Sequence, residues 1–257
     1  MKIMRFVFND EMKYGVVNED QIRIIEGWPN GPYTLLEGSI PLTSVKPLAP
    51  LMPGKVVAVG LNYASHVAEM KVDRPAPTAP LFFLKPSTSV IGPEEGIFYP
   101  GGCRDLHFEG ELAVIIKQRA WKVPQEMAHD YILGYSCLND VTARDWQRSD
   151  GQWTRGKSYD TFCPLGPVIA MDIPNPNALK IETRLNGEVR QSATTADLLF
   201  KVEYLVSYIS SHMTLLPGDV IATGTPDGVG PMQVGDRVEV EIEGIGVLAN
   251  RVVREEG

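Results

Sequence analysis

The chain of 257 residues has little cysteine: Cys103, Cys137 and Cys163 are odd in number, widely spaced and form no CxxC pair. That excludes a disulfide scaffold and points to a reducing compartment, with the cytoplasm as the expected location. Long hydrophobic runs are missing as well. No stretch approaches the ~18 consecutive apolar residues of a membrane-spanning helix, and the opening ten residues hold no apolar core of signal-peptide length. Positive charge is in deficit, with 24 Lys and Arg against 32 Asp and Glu, a formal charge of −8. A field of that sign repels phosphate backbones and anionic headgroups, so neither nucleic acid nor membrane is expected as a partner. A small anion can still enter a locally cationic pocket. Hydrophobic residues at 44% and charged residues at 22% exclude a disordered chain.

Several catalytic signatures are absent too. The four histidines (66, 107, 129, 212) show no zinc spacing, and there is no HExxH. The glycine-rich stretch 224–230 lacks the Gly-Lys-Ser/Thr ending of a phosphate-binding loop, and no Gly-x-Ser-x-Gly elbow occurs. Hydrolysis here would therefore use a metal and an activated water rather than serine.

What is present reads as a β-dominated α+β chain of one to two domains. Residues 3–8, 13–17 and 21–25 predict short strands in a small N-terminal β-rich unit. Residues 31–54 carry Pro32, Pro41, Pro47, Pro50 and Pro53 and predict an extended connector. The expected division is residues 1–50 for this unit and its connector, and 51–257 for a catalytic domain. Residues 72–80 predict a proline-rich exposed loop, and 81–84 and 112–116 predict strands. A helix is predicted over 195–210 from the spacing of Leu198, Val202, Leu205, Val206 and Ile209, with Thr194 and Asp197 as a capping pair. Val238, Val240 and Ile242 then alternate with Glu239, Glu241 and Glu243, a strand with one buried face.

Three constellations carry possible chemistry. On a strand, Glu109 and Glu111 share a face that continues into Ala113 and Ile115. A lone Glu-x-Glu also fits a strand end emerging into solvent, but Asp140 follows another apolar run and adds a third carboxylate. If the three converge, each pair at ~4 Å repels by about 4 kcal/mol at an effective dielectric of ~20, so the cluster must protonate or hold a cation. All-oxygen ligands favour Mg²⁺, Mn²⁺ or Ca²⁺ over zinc. Secondly, His66 and Glu69 are three apart and meet on a helical turn, where Glu raises the basicity of the imidazole; the same pair fits a solvated surface. Thirdly, Lys157 follows a polar, Gly-containing loop, where it either polarises a carbonyl or simply faces solvent. Arg144, four residues after Asp140, would lie one turn away if that segment is helical.

Taken in order, the blocks Val59-Gly60-Leu61-Asn62-Tyr63 with His66 and Glu69, Phe83-Leu84-Lys85-Pro86-Ser87, His107-Phe108-Glu109-Gly110-Glu111-Leu112, Asn139 through Gln147, Lys157 and Gly224-Thr225-Pro226 resemble the fumarylacetoacetate hydrolase family over roughly residues 51–253. The resemblance implies a twisted β-roll that forms a homodimer, with Mg²⁺ or Mn²⁺ on Glu109, Glu111 and Asp140. It implies a lid carrying His66 and Glu69 as catalytic residues beside Lys157, and substrate contacts from Arg144, Gln147, Thr225 and Lys85. Residues 1–50 resemble the extra domain of members described as 2-hydroxyhepta-2,4-diene-1,7-dioate isomerases. The implied chemistry is C–C cleavage in a small anionic 2-oxo or 2,4-dioxo acid through a metal-stabilised enolate, as acylpyruvate hydrolysis or oxaloacetate decarboxylation. Dienedioate isomerisation uses the same enolate. Acylpyruvase-like members often carry a basic residue where this chain has Leu61, which speaks against that assignment. A non-catalytic dicarboxylate-binding module would need the carboxylates but neither the His–Glu dyad nor Lys157.

Overall fold

The computed structural model describes residues 1–28, 31–69 and 76–255. The chain opens with three antiparallel strands, Lys2–Phe8, Glu11–Asn18 and Gln21–Gly27. Asn9 and Asp10 both adopt positive φ, 52° and 60°, the two-residue hairpin geometry that short polar side chains tolerate best. The proline-rich stretch that follows is more than a connector. Its short strands Tyr33–Leu35, Ile40–Pro41 and Lys46–Leu48 pair onto the N-terminal strands. Pro41 and Pro47 lie in these short outer strands, where a missing N–H removes little from the ladder.

Lys2 and Ile3 pair with Ala170 and Ile169 of the strand Cys163–Ala170, so the N-terminal strands continue the main sheet. That sheet has 13 strands, and its path runs on through Ile132–Asn139, Gly110–Ile116, Val220–Ala222 and Val56–Gly60 to Leu81–Lys85. Every residue of Gly110–Ile116 is buried, because both faces are covered. Leu112, Val114 and Ile116 face one core cluster, shared with Val202, Leu205, Val206 and Ile209, whereas Ala113 and Ile115 face another with Val56 and Leu165. Of the proline-rich loop, residues 72–75 lie outside the described residues.

The helix is shorter than its periodicity predicts. Residues Thr195–Asp197 form a 3-10 turn, and the α-helix spans Val202–His212. Thr194 does cap, accepting from the Ala196 amide at 3.2 Å, but it caps the 3-10 turn. Leu198 leaves the helical path with ψ 128° to bridge Tyr63, while Asn62 holds the Phe200 amide at 2.8 Å. Tertiary pairing overrides local spacing.

A five-stranded sheet runs in the order Gly96–Tyr99, Gly246–Arg254, Arg237–Ile242, Lys180–Leu185, Glu188–Thr194. Val238, Val240 and Ile242 face inward, as their alternation predicts. A small three-stranded sheet joins Thr142–Ala143, Leu106–Phe108 and Gly230–Pro231. This last sheet positions the site, since it gathers the neighbourhoods of Asp140, Glu109 and the 224–230 loop.

Candidate active site

Glu109 occupies the junction between the strands Leu106–Phe108 and Gly110–Ile116. Its amide donates to Asn139 Oδ1 at 2.9 Å, and its carbonyl accepts from the Asp140 amide at 2.8 Å. That exchange sets Asp140 opposite the Glu109–Glu111 pair. The three carboxylates are buried, and one oxygen from each lies within 4.8 Å of the others.

Cations surround them. Lys157, at the end of the short helix Thr154–Lys157, places Nζ 2.9 Å from Glu109 Oε2 and 2.6 Å from Asp140 Oδ2. It also donates to Thr142 Oγ1 at 2.8 Å. The preceding helix, Arg144–Asp150, ends at Gly151 in the left-handed conformation (φ 66°), which turns the chain back so that Lys157 can return to the site. Arg144 donates from Nη2 to Glu109 Oε1 at 2.5 Å and from Nη1 to Gln147 Oε1 at 2.7 Å.

Two placements differ from expectation. Arg144 and Asp140 do not share a helical turn. Thr142–Ala143 is strand, and the helix starts at Arg144, whose amide donates to Asp105 O. The guanidinium therefore grips Glu109 of the protein rather than presenting an empty fork. Lys85, expected at the substrate, is fully buried behind Asp140: it donates to Oδ1 at 2.5 Å and to the Lys157 carbonyl, outside the pocket wall.

The electrostatics follow from this wiring. Burial alone would push Glu109 up, but Lys157 and Arg144 hold its carboxyl well below the usual range. Burial, then the charges of Asp140 and Glu109, push Glu111 well above it, with Lys157 and the Gly224 amide at 2.7 Å offering partial relief. Burial disfavours the Lys157 ammonium, yet Asp140 and Glu109 raise its pKa and keep it charged. A buried all-oxygen donor set with one carboxylate still under repulsion fits a divalent cation.

The carboxylates face a cavity of about 30 Å³ whose wall also includes Leu61, His66, Gln147, Trp153 and Thr225. His66 lies on the helix Ala64–Glu69, with Nδ1 3.2 Å from Glu69 Oε2. A carboxylate only accepts, so Nδ1 carries the proton and Nε2 remains the basic nitrogen. Glu69 stands outside the cavity wall and accepts the Gly228 amide on Oε1 at 3.0 Å. Residues 70–75, which follow Glu69, lie outside the described residues. Trp153 escaped the sequence reading. Its ring packs where a Gly60 side chain would stand, 2.6 Å from an ideal Cβ, so Gly60 was the available signal.

Residues 55–253 match the fumarylacetoacetate hydrolase C-terminal family. The chain belongs to that family. Residues 1–50 match the Rv2993c-like N-terminal family. The chain is 42% identical over 226 residues to a mitochondrial oxaloacetate tautomerase of Bos taurus, covering 83% of this chain and 71% of that one. It superposes on 2-hydroxyhepta-2,4-diene-1,7-dioate isomerase from Mycobacterium marinum with a TM-score of 0.92 and 43% identity, over 100% of both chains. Maleylpyruvate hydrolase from Sphingobium sp. SYK-6, solved with manganese(II) and pyruvate, gives a TM-score of 0.82 at 33% identity, again over 100% of both. The resemblance drawn from the motif blocks and the β-dominated fold are thus borne out, and the protein is an enzyme of this family.

Proposed function

We propose that the protein cleaves a C–C bond in a small 2-oxo or 2,4-dioxo acid, using Mg²⁺ or Mn²⁺ held by Glu109, Glu111 and Asp140. One observation carries this reading: a charged Lys157 is set among three buried carboxylates at the wall of a cavity that also holds a His–Glu pair. When bound, the cation would supply Lewis-acid stabilisation of negative charge developing on the 2-oxo oxygen. The residues do the rest. Arg144 and Lys85 hold Glu109 and Asp140 in place, and Lys157 adds positive charge beside the developing enolate. His66, oriented by Glu69, takes a proton from water in hydrolysis. Thr225 and Gln147 contact the substrate.

A second reading is proton transfer without water in an isomerase or tautomerase, which would use the same carboxylates and Lys157. The named isomerase and tautomerase relatives agree with it. A panel of acetylpyruvate, fumarylpyruvate, oxaloacetate and hydroxyheptadienedioate, assayed with Mg²⁺ and Mn²⁺, separates the two. Full activity after complete chelation would overturn both. We also place the enzyme in the cytoplasm: its three cysteines are free and buried, and no described helix is long and apolar enough to cross a membrane. The expected homodimer is supported by exposed Leu81 and Leu84 on the outer strand Leu81–Lys85, an edge that needs cover. Sedimentation as a monomer at micromolar concentration would contradict it.

A further inference from the structure

Gln191 is the odd residue of its strand. Glu188–Thr194 lies at the edge of the five-stranded sheet, and Glu188, Val189, Arg190 and Ser192 are all exposed, yet Gln191 is 1% exposed. Its register accounts for this: Gln191 stands opposite the fully buried Thr183 on the inward face, and a bulge just beyond it, where Arg184 pairs with Val189 and Arg190 is the extra residue, leaves Val189 exposed. From that face the Gln191 amide reaches Gly110, Thr225 and Pro226.

Its orientation is fixed at both ends. The Gly110 amide can only donate, so the group it meets at 3.0 Å must be Oε1. The Pro226 carbonyl can only accept, so the group 2.9 Å from it must be Nε2. The second Nε2 hydrogen then goes to Thr225 Oγ1 at 2.8 Å. No side chain fits at Gly110, because a Cβ there would stand 2.1 Å from Thr183 Oγ1. With one Oγ1 lone pair taken, the Thr225 hydroxyl proton has no acceptor among the described residues, and Thr225 lines the cavity.

We propose that Gln191 is a positioning residue that makes Thr225 an obligate hydrogen-bond donor to an anionic oxygen of the substrate. This rests on the reading of the cavity as a 2-oxo acid site. The arrangement selects substrates that put a carboxylate or enolate oxygen, not a donor-only group such as an ammonium, against Thr225.

The test measures oxalate binding to the Mn²⁺-loaded full chain by calorimetry, with Mn²⁺ affinity measured separately. Gln191→Glu keeps an acceptor for Gly110 but in its ionised form cannot donate, so the Thr225 proton turns to it and away from the ligand. Oxalate affinity should fall about tenfold, the scale of one hydrogen bond to a charged group, while Mn²⁺ affinity stays near wild type. Thr225→Val should show the same loss and Thr225→Ser should not. Adding Gln191→Glu to Thr225→Val should cost nothing further. Gln191→Met, similar in length but unable to bond, serves if the glutamate variant does not fold. Unchanged oxalate affinity in the folded Gln191 variant or in Thr225→Val would overturn the proposal. So would additive losses in the double variant, or a fall in Mn²⁺ affinity that places the effect at Glu109 and Glu111. Failure of the wild type to bind oxalate at all would instead remove the functional reading, and this inference with it.

Discussion

The Lys157 ammonium stands 2.6 Å from Asp140 Oδ2, and the Lys157 backbone carbonyl accepts from Lys85, whose ammonium is bound to the other oxygen of the same Asp140. One carboxylate is thus clamped between two lysines, and the two lysines are tied to each other. Both ammonium groups are buried, so their charges act at short range with little water to screen them.

Replacing Lys157 should separate turnover from folding. Lys157→Met leaves three buried carboxylates facing fewer cations, so the metal-free variant should melt well below wild type. A divalent cation should recover more of the melting temperature in the variant than in wild type, and thermal melts with and without Mn²⁺ check this. In steady-state kinetics kcat should fall much further than KM rises, because the charge is needed most as the enolate forms.

Glu111 makes metal uptake depend on pH. In the metal-free protein its pKa is raised by burial and by Asp140 and Glu109. A raised carboxyl stabilises the metal-free fold at pH below its unfolded pKa, and that contribution is lost as pH climbs through the raised folded pKa. Metal binding must expel the proton. Affinity for Mg²⁺ or Mn²⁺ should therefore rise with pH, by about tenfold per unit while Glu111 is protonated in the free protein. Calorimetry in buffers of different ionisation enthalpy should show close to one proton released; no release would refute this.

Arg144 yields a different forecast from the one its sequence position suggests. As a free fork it would matter for substrate alone, with Arg144→Lys raising KM at constant metal affinity. Bound to Glu109 Oε1 and Gln147 Oε1, it orients a carboxylate of the candidate metal set, and a lysine cannot bridge both. Arg144→Lys should weaken Mn²⁺ binding as well as raise KM, which a metal titration of the variant would show.

The carboxylates were legible in the sequence because strand spacing puts Glu109 and Glu111 on one side and Asp140 ends an apolar run. Their partners were not. Arg144 reaches Glu109 because Ala143 pairs with Leu106, a strand contact invisible to a helical count. Lys85 could be placed near the site by its motif, but which side of Asp140 it takes depends on where its strand ends. Gln191 offered no signal, since its burial comes from pairing opposite Thr183 while its neighbours Val189, Arg190 and Ser192 are exposed. The helix start at Val202 was lost for a similar reason, because Asn62 holds Phe200 from 138 residues away. Spacing within an element reads well; contacts made across sheets do not.

The His66–Glu69 pair supplies the sharpest test of mechanism. Glu69 is bound twice, by His66 through Oε2 and by the Gly228 amide through Oε1, so the dyad is anchored to the loop that carries Thr225. Gly228 has φ +92°, and a Cβ there would stand 2.0 Å from the Arg190 carbonyl, so only glycine brings that amide to Glu69. His66→Ala removes the base while leaving the carboxylates and Lys157 in place. Turnover of a hydrolysed acylpyruvate should drop by about 100-fold or more, the usual weight of a positioned base, with oxalate affinity of the Mn²⁺ form nearly unchanged. Gly228→Ala should lower kcat in the same direction but less, since the imidazole is loosened rather than lost, and its Mn²⁺ affinity should match wild type. Equal losses of turnover and oxalate binding in His66→Ala would make the histidine a binding residue and leave the activation of water to some other group.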